Sequence, residues 1–248
     1  MTDKKSPTRE IFSLLDKCSD AEKMAVLQHL RQMLPVRRFI AASRGKHSLE
    51  EEWGVSAETI LDAIARSPDL TLRGIRGIIA EAIFERFVVP TVPDWRQVAS
   101  ETELPYDFLL RHQSKPDVQA RVQVKLQRLE KHVPKLASRS MLKTLKAEAK
   151  TLYVVEVQKT RMGKSNGEDT RPYRFGDFDI LAVCMHPSTG DWQRFSYTLA
   201  SWLLPRQEDR RLIQIMQPVA SEADECWTDN LRVCLDWYLS GVKKRLYQ

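Results

Sequence analysis

The sequence predicts a mixed α/β protein. A helical N-terminal portion of about 70 residues precedes a three-layer body, a mixed sheet flanked by helices. Three observations carry this. Apolar residues recur at helical spacing through the first third of the chain. Strand signals then take over, from about residue 106 onward. The segments also follow one another as helix, strand, strand, helix, strand, strand, an order that suits a central sheet.

Residues 8–34 carry two apolar stripes, Ile11/Leu14/Leu15 and Met24/Leu27/Leu30/Leu34, joined at Ser19-Asp20, a good N-cap. Residues 36–68 read as helix interrupted at Gly45 and Gly54. A further helix is expected from about Leu72 to Val88, capped by Thr71 and closed off by Pro90 and Pro93. Its Leu72, Ile75, Ile79 and Ile83 form one apolar face, with Gly74, Gly77 and Glu81 opposite. Glycines inside a helix cost stability, so a close packing partner or a nucleic-acid backbone is expected against them. Residues 91–102 read as loop or short helix. Strands are expected at about 106–112, 119–128, 152–160, 177–185 and 192–198, and helices at 130–150, 206–216 and 222–246. The domain boundary falls at about residue 70, giving a helical region over 1–70 and the α/β body over 71–248.

At 248 residues, 42% apolar and 29% charged, the chain can build a proper core. No apolar run approaches the roughly 18 residues of a membrane span, and the lysines at the N-terminus precede no hydrophobic stretch. Cys18, Cys184, Cys226 and Cys234 are scattered without a C-x-x-C pair, which argues against zinc and for free thiols in a reducing cytoplasm. The net charge is +6, but it is concentrated. Residues 111–174 hold sixteen Lys and Arg against six Asp and Glu, a net of +10. Such a field suits a polyanion, because Lys and Arg displace counterions from phosphates.

The sharpest pattern lies in residues 103–128. Val122-Gln123-Val124-Lys125-Leu126 alternates like a strand with one face in a core, and Asp107 interrupts an apolar run upstream. With a five-residue loop from Ser114 to Val118, Asp107 falls opposite Lys125, and Gln123 shares their face. An acidic residue on one strand followed by [D/E/Q]-x-K on the next resembles the PD-(D/E)XK nuclease superfamily, the fold of most type II restriction endonucleases. The resemblance covers roughly residues 72–200. It departs from the pattern where Gln123 replaces the usual acid and where the aspartate sits in Leu-Pro-Tyr-Asp. The literal Pro116-Asp117 lies in the turn.

The resemblance implies a restriction-endonuclease-like fold and a catalytic set of Asp107, Gln123, Lys125 and Glu81. Asp107, the Gln123 side chain and the Val124 carbonyl would bind Mg²⁺, and Lys125 would help deprotonate the attacking water. Glu81, with Glu85 as fallback, would hold the metal's water shell or a second ion. The chemistry is coherent: phosphodiester hydrolysis needs charge neutralisation and a deprotonated water, and a hard cation held by a few oxygens supplies both.

Between the strands Thr151–Val157 and Phe178–Val183 lies a glycine-containing cationic loop with Lys159, Arg161, Lys164, Asn166, Arg171 and Arg174. Arginine reads guanine and asparagine reads adenine through paired hydrogen bonds, so these six are the candidate DNA-binding residues. Asp179 is read as structural, and Glu156 as a further acidic contact. Residues 49–67 also suit a helix-turn-helix, with Gly54 at the turn and Ser56 as N-cap. The second helix is acidic and apolar, however, which suits packing better than a major groove. No H-x-x-x-H pair, P-loop, G-x-S-x-G or Rossmann glycine pattern is present.

The expected protein is therefore a Mg²⁺-dependent, sequence-specific endonuclease of double-stranded DNA, of type II restriction class. A homodimer follows if the site is palindromic, with the apolar C-terminal segment from Cys226 as its interface. A non-catalytic helix-turn-helix DNA-binding protein and a repair or junction-resolving nuclease of the same fold are the alternatives.

Overall fold

A computed structural model describes residues 14–32, 46–99, 104–159 and 171–247. The chain divides into two compact units, residues 1–67 and 68–248. The first unit contains α1 (Asp20–Gln32), α2 (Ser48–Trp53) and α3 (Ala57–Ala65). His47 caps α2 in a capping box with Glu50. Gly54 turns the chain in the left-handed region (φ 66°), and the Ser56 hydroxyl accepts from the Thr59 amide to start α3. Glu50 also accepts the Ala57 amide at 2.7 Å, tying the two helices together.

The second unit opens with α4 (Asp69–Ile83). It starts at Asp69 rather than at a Thr71 cap. It runs into a π-helical turn over Phe84–Val88 and a 3₁₀ turn over Val89–Thr91. The central sheet has five strands in the order β1 (Trp95–Val98), β2 (Phe108–His112), β3 (Gln119–Leu126), β7 (Ile180–Cys184), β8 (Phe195–Leu199). β3 and β7 pair in parallel and the other neighbours are antiparallel. Short strands β4 (Leu129–Glu130) and β5 (Val133–Pro134) make a hairpin. β6 (Leu152–Glu156) pairs with β9 (Met216–Ala220) in a separate ribbon. Helices α5 (Arg139–Thr144), α6 (His186–Thr189) and α7 (Leu231–Ser240) and a 3₁₀ turn over Ala200–Trp202 complete the described elements.

The sheet is covered on both faces. On one side α4 packs on β3 and α7 on β8, around Ala80, Phe84, Phe108, Leu110, Val122, Val124, Ile180, Leu231 and Leu235. On the other, Leu181 and Val183 join Val154, Val155, Tyr173, Leu203, Ile213 and Trp227. The parallel pair at the centre is thus buried from both directions, as parallel strands generally are. This corrects the reading of β3 as half-solvated: Gln123, on its polar face, is 1% exposed.

Other expectations are corrected too. Residues 130–150 hold the β4–β5 hairpin and the short α5, not one long helix. The hairpin turns on Lys131 and His132, both left-handed (φ 50° and 66°), which is the backbone of a two-residue primed turn without its usual Asn-Gly. The segment 206–216 is not helical, and its last residue opens β9; the helix expected over 222–246 spans only Leu231–Ser240. β1 lies where a loop or short helix was expected. On α4, Ile79 is 38% exposed and the residues against the core are Ala80 and Ile83, with Phe84 of the π turn beside them. Among the described residues, no atom beyond their own helix backbone and chain neighbours lies within 4 Å of where a Cβ of Gly74 or Gly77 would stand, so no close packing partner there explains them. Trp227, Leu231, Cys234 and Leu235, offered above as a dimer face, are buried in the chain's own core. Cys18, Cys184, Cys226 and Cys234 are free thiols, and no described helix is long and apolar enough to cross a membrane.

Asp179, just ahead of β7, fastens that strand to β3. Its carboxylate accepts from Arg121 Nε at 2.9 Å, Arg121 Nη2 at 2.8 Å and the Arg121 amide at 2.8 Å, while Arg121 Nη1 donates to the Gly176 carbonyl. Removing one partner of such a pair strands the other's hydrogen-bonding groups. Asp179→Ala should lower stability by about 2 kcal/mol, measured by urea unfolding. A change within error would mean that the pair does not hold β7 in register.

Candidate active site

The β2–β3 register brings the motif residues together. Phe108 pairs with Val122 and Arg111 with Gln119, and the His112 amide donates to the Val118 carbonyl to close the turn. The five-residue loop is therefore 113–117, one residue earlier than expected. The register moves by two, so the faces are preserved and Asp107 sits beside Gln123 instead of opposite Lys125. Asp107 precedes the first residue of β2, where the backbone leaves the ladder. Its Oδ2 accepts hydrogen bonds from the Val124 amide (2.8 Å) and from Gln123 Nε2.

Gln123 is held at both ends. Its Oε1 accepts from the Tyr173 hydroxyl at 3.0 Å, and its Nε2 also approaches the Val124 carbonyl at 3.3 Å. The amide nitrogen, not the oxygen, thus faces Asp107. Lys125, two residues on, shares the face of Gln123, and its Nζ lies 5.7 Å from the Tyr173 ring centroid. Burial pulls the Lys125 ammonium below its ordinary pKa, against the opposing pull of Asp107 and Glu81.

Glu81 comes from the last turns of α4 and lines an open cleft of about 390 Å³ with Ile78, Ala82, Glu85, Asp107 and Phe108. Its pKa is pushed up to about 7, first by burial and then by the negative charge of Asp107, with Lys125 pulling the other way. Glu81, Asp107 and Lys125 therefore form one electrostatic unit. Glu85 is exposed and accepts from Gln97 Nε2 at 2.8 Å. Among the described residues, no group of three His, Cys, Asp or Glu side chains gathers as a metal cluster. The donors are instead two carboxylates, one amide and one backbone carbonyl. All can offer oxygen, and Mg²⁺ takes one or two carboxylates and keeps several waters, so the set fits it. A carboxyl group whose pKa is raised by a neighbouring carboxylate, as that of Glu81 is by Asp107, is also what a cation would relieve.

Of the cationic loop, Arg161, Lys164 and Asn166 lie outside the described residues. Its base is closed by the Lys159 amide donating to the Arg171 carbonyl (2.8 Å) and by pairing of Gln158 with Pro172. Lys159 Nζ lies 3.5 Å from Asp177 and 5.4 Å from the Tyr173 ring centroid. The Arg174 amide donates to Asp177 at 3.0 Å. Glu156 is engaged by Arg128, by Arg73 at 3.4 Å and by Gln158, a neutralised cluster rather than an open acid.

Tyr173 is the residue that motif reading missed. It lies 50 positions from Gln123, in a segment that stands out only for its lysines, arginines and Asn166, and nothing in its local sequence points to the site.

No family model matches the chain, and no curated protein matches it. Among solved structures it is similar to a bacterial homing endonuclease, I-Ssp6803I, at 16% identity. The match covers 61% of this chain and 79% of that one, with a TM-score of 0.34. An overlap this loose leaves the functional reading to the site's own geometry.

The Glu81 shift has a testable sign. A folded pKa above the unfolded value means that Glu81 contributes stability below about pH 4.5, and that this is lost as the pH rises through about 7. Glu81→Gln should match the wild type at pH 4 and be more stable at pH 8 in EDTA, by on the order of 1–2 kcal/mol after screening by solvent. Thermal unfolding at the two pH values checks this. Equal stability at pH 8 would mean that Glu81 is not held against Asp107.

Proposed function

We propose that this chain is a Mg²⁺-dependent DNA endonuclease of the PD-(D/E)XK type, acting on double-stranded DNA as a site-specific, type II restriction enzyme. One observation carries the reading: Asp107, Gln123 and Lys125 meet on one hairpin, and Glu81 is coupled to Asp107 and Lys125 across a cleft. The net charge of +10 over residues 111–174 supports a phosphate-bearing substrate.

Asp107 and Glu81, with the Val124 carbonyl and the Gln123 amide, would hold the cation. When bound, it supplies charge neutralisation at the scissile phosphate and acidifies a water. Asp107 is oriented for this by the Val124 amide, which fixes its carboxylate plane. Lys125 stands beside the carboxylates with its pKa lowered by burial, so it would take up the proton of the attacking water as a base less fully charged than a solvated lysine. Glu81 is held partly protonated near pH 7 and gives up its proton when positive charge arrives. Lys159, Arg171 and Arg174 stand at the base of the loop proposed to reach the bases, which holds Arg161, Lys164 and Asn166. Cutting both strands of a palindromic site would require a homodimer.

Supercoiled plasmid and phage DNA incubated with Mg²⁺ should yield discrete fragments, and EDTA should abolish them. Lys125→Ala and Asp107→Ala should each slow cleavage by about 10² or more. A smear with the same dependence would keep the nuclease and remove site specificity. Preference for branched over plain duplex DNA would indicate a junction-resolving enzyme. Cleavage unaffected by either substitution would remove this site from the reaction.

A further inference from the structure

We propose that Tyr173 is a positioning residue that decides which atom of the Gln123 amide faces Asp107, and that it thereby keeps the DNA-free site's affinity for divalent cations low. The inference rests on the nuclease reading above.

The geometry leaves little freedom. Gln123 is 1% exposed and Tyr173 4% exposed, so neither can turn to water for a partner. The Tyr173 ring is clamped edge-on by Phe178 at 5.2 Å, with Lys125 Nζ and Lys159 Nζ at 5.7 and 5.4 Å from its centroid. Its backbone carbonyl is tied to the Ile213 amide at 2.8 Å. A phenol so held has one proton, and it donates that proton to Gln123 Oε1 at 3.0 Å. The consequence falls at the other end of the amide, where Nε2 must point at Asp107.

That orientation satisfies every group in the absence of a cation but opposes binding of one. Nε2 presents its hydrogens, and hence partial positive charge, where a metal ligand must present a lone pair. To act as a ligand through Oε1, Gln123 must turn its amide over. Nε2 then donates to the Tyr173 oxygen, and the hydroxyl proton loses its acceptor. The hydroxyl therefore favours the orientation that faces Asp107 with Nε2. A glutamate at position 123, with two equivalent oxygens, has no such choice to make. Its carboxylate accepts from Tyr173 with one oxygen whichever way it faces. The Gln in place of the usual acid is thus what makes Tyr173 matter.

The test is Mn²⁺ binding to the full chain without DNA, by isothermal titration calorimetry. It compares wild type, Tyr173→Phe, Gln123→Glu, the double variant and Asp107→Ala, each checked for an unchanged melting profile. Tyr173→Phe should tighten Mn²⁺ binding about fivefold to tenfold when residue 123 is Gln, the equivalent of one net hydrogen bond. It should change binding by less than about twofold in the Gln123→Glu background. A merely structural role for Tyr173 would act alike in both backgrounds.

Unchanged or weakened binding in Tyr173→Phe, with wild-type binding lost in Asp107→Ala, would overturn this inference and leave the nuclease reading standing. No Asp107-dependent Mn²⁺ binding in any of the proteins would overturn both. If Tyr173→Phe does not fold, the Gln123 side-chain NH₂ resonances of the wild type, followed by NMR during Mg²⁺ titration, decide the matter. Their displacement as Asp107 is exchanged for the phenol is the expected result, and their constancy at saturating Mg²⁺ overturns the proposal.

Discussion

The pairing of Phe108 with Val122 is the constraint on which the rest of the second unit depends. Side chains alternate along a strand, so this one pairing sends Phe108, Leu110, Val122 and Val124 to the face covered by α4, and Gln123 and Lys125 to the other. A slip of one residue would exchange the two sets. Each large apolar side chain withdrawn from its core would cost about 1.5–3 kcal/mol, and Lys125 would be driven under α4. A slip of two keeps the faces, and only the packing of the 113–117 turn and the start of β2 distinguish it. The parallel pairing of β3 with β7 then closes the centre of the sheet, and Arg121 and Asp179 pin its entry.

Within that frame the site is an electrostatic compromise. Asp107 has two hydrogen-bond donors to hold it. Glu81 is burdened by partial burial and by its neighbour's charge, and it responds by retaining a proton to about pH 7. Lys125 is close enough to offset both carboxylates, yet burial works against its own charge. Glu81 and Lys125, an acid and a base, are thus each displaced toward neutrality by burial, a pattern that recurs where proton transfer takes place. The polar atoms of Gln123 and the hydroxyl of Tyr173 complete the arrangement as hydrogen-bonding groups without net charge.

The basic stretch of residues 111–174 is less open than its net charge suggests. Arg121 is consumed by Asp179, Arg128 by Glu156, Lys135 by Glu130, Lys150 by Asp224 and Glu225, and Lys159 by Asp177. Several of these acids lie outside the stretch in sequence, so a linear count cannot register their neutralising effect. The pairs at strand ends are partly buried and serve the fold. Lys131, Arg139, Lys143 and Lys146, on the β4–β5 hairpin and around α5, enter no ion pair among the described residues. A polyanion would meet that part of the stretch first.

The sequence by itself determined the pieces that obey local rules. Period-2 alternation marked β3, other strand signals marked β2, β6, β7 and β8, and Ser56 and Gly54 marked the α2–α3 turn. The spacing of Asp107, Gln123 and Lys125 placed three polar groups on one face of a hairpin, because parity along a strand survives an error of two in register. Only the tertiary structure decided the rest. The β4–β5 turn uses Lys131 and His132 at positive φ, a conformation their side chains do not advertise. β9 becomes a strand because β6 offers it an edge to pair with. α4 turns Ala80 and Ile83 inward and leaves Ile79 outside, because the sheet it packs on selects the face. Tyr173 reaches Gln123 from 50 residues away, since the face opposite α4 is built from segments distant in the chain. Local pattern constrains which way a side chain points, whereas the partner it meets there depends on how distant segments are brought together by burial.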